Sequence, residues 1–180
     1  MKKAYLFLGL FLILQSCIPI RIAPTIKNFK ITQGKKFKRD LPKRHMFIFQ
    51  DHKQANAFYN YVNTKFELQD IDVYDNVPFT IQENHYFFSF YEADIPNKTI
   101  NLIPIAIDVM LDKADIDPAM EQMYKSRKGN WYIAIEVYSD TENDCLQPTS
   151  KSKQAVSDYL QKLKDEYVST YNYNEVLFQK

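Results

Sequence analysis

The chain has 180 residues, of which 46% are hydrophobic and 15% aromatic, and its formal net charge at pH 7 is +1. This supply of apolar side chains excludes a disordered chain, because it is sufficient to bury a core. With only three glycines, the chain has no phosphate-cradling loop and no nucleotide-binding fingerprint.

The N-terminus has the pattern of a secretory signal peptide. Lys2 and Lys3 precede an apolar run from Ala4 to Leu14, which is shorter than the roughly 20 residues that a membrane-spanning helix needs. A positive start, a short apolar stretch and small residues at its end predict a signal peptide over residues 1–16.

The end of this peptide, Leu14-Gln15-Ser16-Cys17, resembles the lipobox of bacterial lipoproteins. The resemblance implies cleavage after Ser16 and attachment of a diacylglyceryl lipid, with acyl chains such as palmitate, to the Cys17 thiol. Ile18 stands where aspartate would retain such a protein in the inner membrane. The resemblance therefore implies an outer-membrane anchor if the cell is Gram-negative, with the domain outside the cytoplasm. If Cys17 is acylated, Cys145 is a free thiol; otherwise a disulfide between them stays open.

Charge divides the remaining chain into an arm and a domain. Residues 17–45 contain nine basic residues and one acid, whereas residues 46–180 contain 12 basic residues and 21 acids. This asymmetry predicts a basic tether over 17–45 and a single domain over 46–180, which is long enough for one core.

Several interpretations of the basic arm stay open. It is interpreted as a solvated linker, as a surface attracted to anionic lipids, or as a segment that packs on the acidic domain. Part of it also fits a short strand around Ile26–Ile31. Nucleic-acid binding is a further interpretation, which the secretion signal disfavours, so we expect no nucleic-acid partner.

The first half of the domain predicts three strands and a helix. Met46–Gln50 is a short apolar run that is typical of a buried strand. Asp51 and Gln54 resemble a capping box and predict a helix over 52–67. Its predicted apolar stripe consists of Ala55, Phe58, Tyr59, Val62 and Phe66. A loop over 68–77 follows, then a short strand over 78–82 and an aromatic-rich strand over 85–92.

The second half predicts two further strands and two helices. Residues 99–111 alternate as a strand, in which Pro104 indicates an edge or bulge. Asp117 begins a helix that Gly129 ends. Residues 131–138 predict a half-buried strand, followed by a loop over 140–149. The last helix, over 150–171, carries an apolar stripe of Val156, Tyr159, Leu160, Leu163 and Tyr167.

The element order β-α-(β)-β-β-α-β-α predicts an α+β fold. Consecutive strands with short connections favour a mainly antiparallel sheet with two or three helices packed on one face. A ferredoxin-like core fits this order, although it would place Pro104 in a central strand. The sequence contains no internal repeat and no second domain.

Candidate chemistry is limited to acidic clusters and aromatic side chains. The clusters are Asp70, Asp72 and Asp75; Asp112, Asp115 and Asp117; and Asp140, Glu142 and Asp144. The last resembles the start of a calcium loop but lacks its glycine and final glutamate. The histidines, His45, His52 and His85, are not spaced as metal ligands, so we expect no metal or cofactor. Tyr171 and Tyr173 are candidates for a recognition surface.

These features favour a lipid-anchored envelope lipoprotein that binds a protein partner or supports envelope assembly, without a catalytic residue. An immunity or inhibitor lipoprotein belongs to the same class. A hydrolase that uses two carboxylates and a small-ligand binder with an aromatic-lined cavity are the alternatives.

Overall fold

The computed structural model describes residues 18–20, 23–96, 98–100 and 129–170. The predicted signal peptide with Ser16, the predicted lipid-attachment residue Cys17, the helix predicted from Asp117, and Tyr171 and Tyr173 lie outside these residues. Most of the strand predicted over 99–111 also lies outside them. None of the helices in the described segments combines the length and the apolar character that crossing a bilayer requires.

Seven strands and three helices form in the described residues. In chain order they are β1 (Ile18–Ile20), β2 (Lys30–Gln33), α1 (Gly34–Phe37), β3 (His45–Asp51), α2 (Ala57–Lys65), β4 (Val77–Ile81), β5 (Asn84–Asp94), β6 (Lys98–Ile100), β7 (Trp131–Tyr138) and α3 (Lys153–Ser169).

Five of the strands form an antiparallel sheet in the order β2-β3-β7-β5-β4. This sheet and its helices confirm the predicted α+β class. A ferredoxin-like core would contain a parallel central pair, whereas every strand pairing among the described residues is antiparallel. β1 and β6 form a separate two-stranded sheet in a second, smaller unit.

The main core lies between one face of the sheet and the two longer helices. Phe47 and Phe49 of β3 lie on this face with alternate residues of β7 and β5. Tyr167 of α3 packs edge-on against Phe58 of α2, with ring centroids 4.9 Å apart. Four members of the stripe predicted for α3 are buried, and Tyr159 is half-buried against Phe79. Gathering the aromatic side chains on one face buries large apolar areas without exposing backbone polar groups.

The start predicted for α2 is wrong. The helix begins at Ala57, after Asn56 in the left-handed region, and not at residue 52. Asp51 is the last residue of β3, and its Oδ1 accepts hydrogen bonds of 3.0 Å from the Lys53 N–H and from the Tyr167 hydroxyl. Because the contact with Tyr167 is 116 residues away in the chain, the local capping pattern did not reveal it.

The second face of the sheet is also covered, so the prediction that the strand over 131–138 is half-buried is wrong. Tyr132, Ala134 and Glu136 point away from the main core, yet they are 0%, 0% and 5% exposed. Phe37 of α1 packs edge-on against Tyr132 with centroids 5.1 Å apart. A strand at the centre of the sheet is therefore enclosed on both sides along most of its length.

The second half of the predicted basic arm belongs to this sheet. β2 pairs with β3 from Lys30 opposite Ile48 to Gln33 opposite His45. The connection between them, residues 34–44, is called the basic loop below. The strand predicted around Ile26–Ile31 forms over Lys30–Gln33 instead, so it begins four residues later in the chain.

Candidate functional site

The loop that follows α2, residues 66–76, is called the acidic loop because it contains four acids and no base. It starts in a Schellman motif: the Leu68 N–H donates to the Asn63 carbonyl at 3.1 Å and the Glu67 N–H to the Thr64 carbonyl at 3.3 Å. Glu67 occupies the left-handed position at φ 55°, where glycine is usual. The chain therefore turns away sharply at the end of the helix.

A left-handed backbone recurs along the acidic loop. Its residues with positive φ are Glu67, Gln69, Asp70, Asp72 and Asn76. Such conformations are unfavourable for residues other than glycine and persist where surrounding contacts determine them. The contacts that hold this loop are therefore structural determinants of the surface that it presents.

Asp70 supplies the main contact between the acidic loop and α2. Its Oδ1 accepts hydrogen bonds from the Asn63 side-chain amide at 2.8 Å and from the Tyr59 hydroxyl at 3.1 Å. The Asp70 N–H donates to the Asn63 Oδ1 at 2.9 Å. Desolvation and the bond to Asp70 raise the pKa of Tyr59, so the phenol stays a donor.

Two further residues, Val73 and Tyr74, pack the acidic loop against the sheet. Val73 is 3% exposed and belongs to the core. The Tyr74 carbonyl accepts the Phe90 N–H at 2.9 Å, and the two rings lie 4.9 Å apart. The loop therefore continues the edge of β5 beyond β4.

Large apolar side chains remain at the surface of this fixed loop. Ile71 is 65% exposed and Tyr74 is 43% exposed. Val168 of α3, at 51%, is the other large exposed apolar side chain in the described residues. Ile71 and Tyr74, on a loop held by hydrogen bonds, therefore form a candidate contact surface.

A groove of about 450 Å³ adjoins the acidic loop. Lys38, Asp40 and Leu41 of the basic loop line it, with Tyr74 and Asp75 of the acidic loop and residues 90–92 of β5. Basic, acidic and aromatic groups thus meet in one concavity, whose size is within the range of ligand-binding pockets.

A buried carboxylate lies on the second face of the sheet, behind this groove. Glu136 Oε1 accepts the Tyr91 hydroxyl at 2.9 Å, and Oε2 lies 3.6 Å from Arg44. Arg44 also stacks over the Tyr138 ring at 5.2 Å. Desolvation, followed by the bond to Glu136, raises the pKa of Tyr91. This network connects the basic loop to the centre of the sheet.

The predicted acidic clusters have different environments. Asp70, Asp72 and Asp75 are all exposed, in the acidic loop. Asp112, Asp115 and Asp117 lie outside the described residues.

The third cluster is held by local hydrogen bonds. Asp140 is exposed, while Glu142 accepts the Ser150 hydroxyl at 2.9 Å and Asp144 Oδ2 accepts the His45 N–H at 2.9 Å. Within the described ranges, no group of three or more His, Cys, Asp and Glu side chains is placed to hold a metal ion.

Cys145 is a buried free thiol in the loop that follows β7. Burial, with the charge of Glu142 as a smaller cause, raises its pKa to about 11. Because the thiolate is the nucleophile, this environment disfavours reactivity at neutral pH.

The sequence predicts the acidic loop and its cluster of Asp70, Asp72 and Asp75, but not the exposed apolar side chains beside them. Polarity predicts the loop over 68–77, and it does not distinguish Ile71 or Tyr74 from the other residues of the loop. The local sequence does not separate Ile71, which is exposed, from Val73, which is buried in the core, because both stand beside acids in the same loop. No protein-family model, no curated protein and no solved structure matches this chain.

Proposed function

We propose that this protein is a lipid-anchored lipoprotein of the bacterial cell envelope whose α+β domain binds another protein. The support for the anchor is the N-terminal sequence, which places Cys17 directly after a signal peptide. The domain is then held outside the cytoplasm, on the outer membrane if the cell is Gram-negative.

The observation that carries the binding role is the exposure of Ile71 and Tyr74 on a loop with a fixed conformation. A surface that is ordered before association loses little conformational entropy on binding. Aromatic rings with a polar tip are favoured at such surfaces. The acidic loop is therefore the proposed contact surface.

Charge indicates the chemistry of the partner. The acidic loop carries four carboxylates and no base over residues 66–76. A partner segment that combines basic residues with an apolar side chain complements it, because the charges steer the encounter and the apolar contact adds affinity.

The adjoining groove favours one second candidate, the binding of a small ligand. Its volume of about 450 Å³ and the Phe90 and Tyr91 lining suit a molecule with an apolar body and both charge signs. Binding of such a molecule would leave the exposed Ile71 without a role.

The anchor is tested by substituting Cys17→Ala in the full chain and measuring intact mass and detergent partitioning. We expect loss of the acyl mass and accumulation of unprocessed protein, while the control Cys145→Ala keeps the acyl mass. Unchanged mass and partitioning in the Cys17→Ala chain would exclude the lipoprotein assignment.

The binding role is tested by in-cell crosslinking of the anchored chain, affinity purification and mass spectrometry. We expect one dominant protein partner, whose yield falls when Asp72 and Asp75 are both changed to Asn. Changing Asp140 and Asp165 to Asn is the matched control, since both are exposed acids outside the acidic loop. Equal yields in the two double variants would contradict the proposal.

A further inference from the structure

The basic loop concentrates positive charge on one surface segment. Its 11 residues include six bases and a single acid, Asp40. The exposed basic side chains of this region are Lys30, Lys35, Lys36, Arg39 and Lys43. Arg44 is instead turned back toward the buried Glu136. The exposed charges are therefore separate from the internal network of the second sheet face.

Backbone hydrogen bonds make the basic loop compact. The Gly34 N–H donates to the Arg44 carbonyl at 3.0 Å, and the Lys35 N–H donates to the Pro42 carbonyl at 3.0 Å. These bonds bring the two ends of the loop together, next to the paired residues Gln33 and His45. A closed loop of this kind keeps its side chains on a defined surface.

Apolar contacts fasten the same loop to the sheet. Leu41 is 5% exposed, and Phe37 packs against Tyr132. Gly34 lies so close to Pro42 and Met46 that no side chain fits there. The exposed lysines thus lie on a loop that is packed on the sheet, whereas composition alone suggests a flexible tether.

We propose that the basic loop is a membrane-facing surface that binds the headgroups of anionic phospholipids. The proposal rests on the lipid anchor inferred above, because acylation of Cys17 brings this segment to a bilayer. Lys30 follows Cys17 by 13 residues, a stretch that spans at most about 45 Å when extended. The basic loop is therefore within reach of the surface in which the anchor lies.

Charge complementarity favours a lipid surface over other polyanions. Clustered lysines and arginines close to a membrane anchor are attracted to acidic headgroups, and each contributes about a fivefold increase in partitioning. The interaction falls off within a Debye length, which is about 10 Å at 0.1 M salt. In a compact group, more of the exposed bases lie within this distance of the headgroups at the same time than when the same charges are spread along a linker.

The test measures partitioning of the full chain carrying Cys17→Ala onto vesicles, so that no acyl group contributes. Vesicles of pure phosphatidylcholine are compared with vesicles that contain phosphatidylglycerol. The double substitution Lys35→Gln and Lys36→Gln is compared with Lys151→Gln and Lys162→Gln, two exposed lysines elsewhere with the same loss of charge. The apolar N-terminus is common to all of these chains and cancels in the comparison.

We expect the first double variant to lose about 25-fold in partitioning onto the anionic vesicles. The control pair should lose less than threefold, and 0.5 M salt should remove the difference between them. Equal losses in the two variants, or the same loss by the first variant on anionic and neutral vesicles, would overturn the proposal. The proposal would also be overturned if the first double variant lost binding to duplex DNA but kept its binding to vesicles. These outcomes do not depend on acylation, so failure here is distinguishable from failure of the anchor.

Discussion

Asn63 and Asp70 exchange two hydrogen bonds across the end of α2. The Asn63 amide donates to the Asp70 carboxylate at 2.8 Å, and the Asp70 N–H donates to the Asn63 Oδ1 at 2.9 Å. The helix thereby holds the acidic loop in a conformation that contains several left-handed residues. The binding surface proposed here depends on this reciprocal pair.

Replacing Asn63 with Ala should destabilise the fold by about 1 kcal/mol. The variant loses both bonds to Asp70, and the higher helix propensity of alanine offsets part of that loss. Urea unfolding measures the change. Asn60→Ala is the matched control, since Asn60 is exposed on the same helix. The free energy of unfolding of this variant should equal or slightly exceed that of the wild type. Equal midpoints for the two variants would contradict the structural role of the pair.

Tyr91→Phe should lower the free energy of unfolding by about 1–3 kcal/mol at neutral pH. It removes the hydroxyl that donates to the buried Glu136 carboxylate at 2.9 Å, and an unsatisfied buried acceptor is costly. A double-mutant cycle with Glu136→Ala isolates the pair, because alanine has no side-chain acceptor for the Tyr91 hydroxyl. We expect the two substitutions to be non-additive by about 1 kcal/mol or more; simple additivity would show that the bond contributes nothing.

Gly34→Ala should destabilise the protein by about 1–3 kcal/mol through overpacking. An added Cβ would lie 2.5 Å from the Pro42 carbonyl oxygen and 2.6 Å from the Met46 sulfur. The backbone oxygen cannot move without opening the basic loop. Lys36→Ala in the same short helix is the control and should change stability by less than about 0.5 kcal/mol. A Gly34→Ala chain as stable as this control would show that the loop is not closely packed.

Stability should fall in alkaline solution, partly because of Tyr159. Burial, with the charge of Glu166 as a smaller cause, raises the pKa of Tyr159 to about 12 from its ordinary value of 10.0. Between these values the unfolded chain releases the phenolic proton while the folded protein keeps it. The free energy of unfolding therefore decreases as pH rises from 10 to 12.

Tyr159→Phe provides the measurement for this pH dependence, since it keeps the ring that stacks on Phe79 at 4.5 Å. Urea unfolding at pH 8, 10 and 11 should show a smaller alkaline loss for the variant than for the wild type. The same loss in both chains would mean that Tyr159 ionises as readily in the folded protein as in the unfolded one.

Where periodicity was strong, the sequence was sufficient to predict the fold. β7 forms where its alternation places it, although both of its faces are buried, and α3 forms within the range that its apolar stripe predicts. The strands β3 and β5 are predicted for other reasons, β3 from a short apolar run and β5 from its aromatic residues. Local patterns determine such elements because their burial repeats with the period of the backbone.

Long-range contacts explain most of what the sequence did not reveal. Asp51 accepts a hydrogen bond from Tyr167 and is the last residue of β3. The helix α2 therefore begins later than the capping pattern at Asp51 indicates. The covering of β7 by Phe37 depends on how the basic loop folds back. The exposure of Ile71 is likewise a consequence of tertiary packing, since an isolated isoleucine in a loop has no period to analyse.

The most direct test of protein binding by the acidic loop is site-specific photo-crosslinking in cells. A photoreactive amino acid replaces Ile71 in the lipid-anchored chain, and a second chain carries it at Val168, the exposed apolar position on α3. The proposed binding role predicts one dominant protein adduct at position 71, lost when Asp72 and Asp75 are changed to Asn, and no such adduct at position 168. The same adducts at both positions, or an adduct at 71 that survives the loss of these acids, would contradict it.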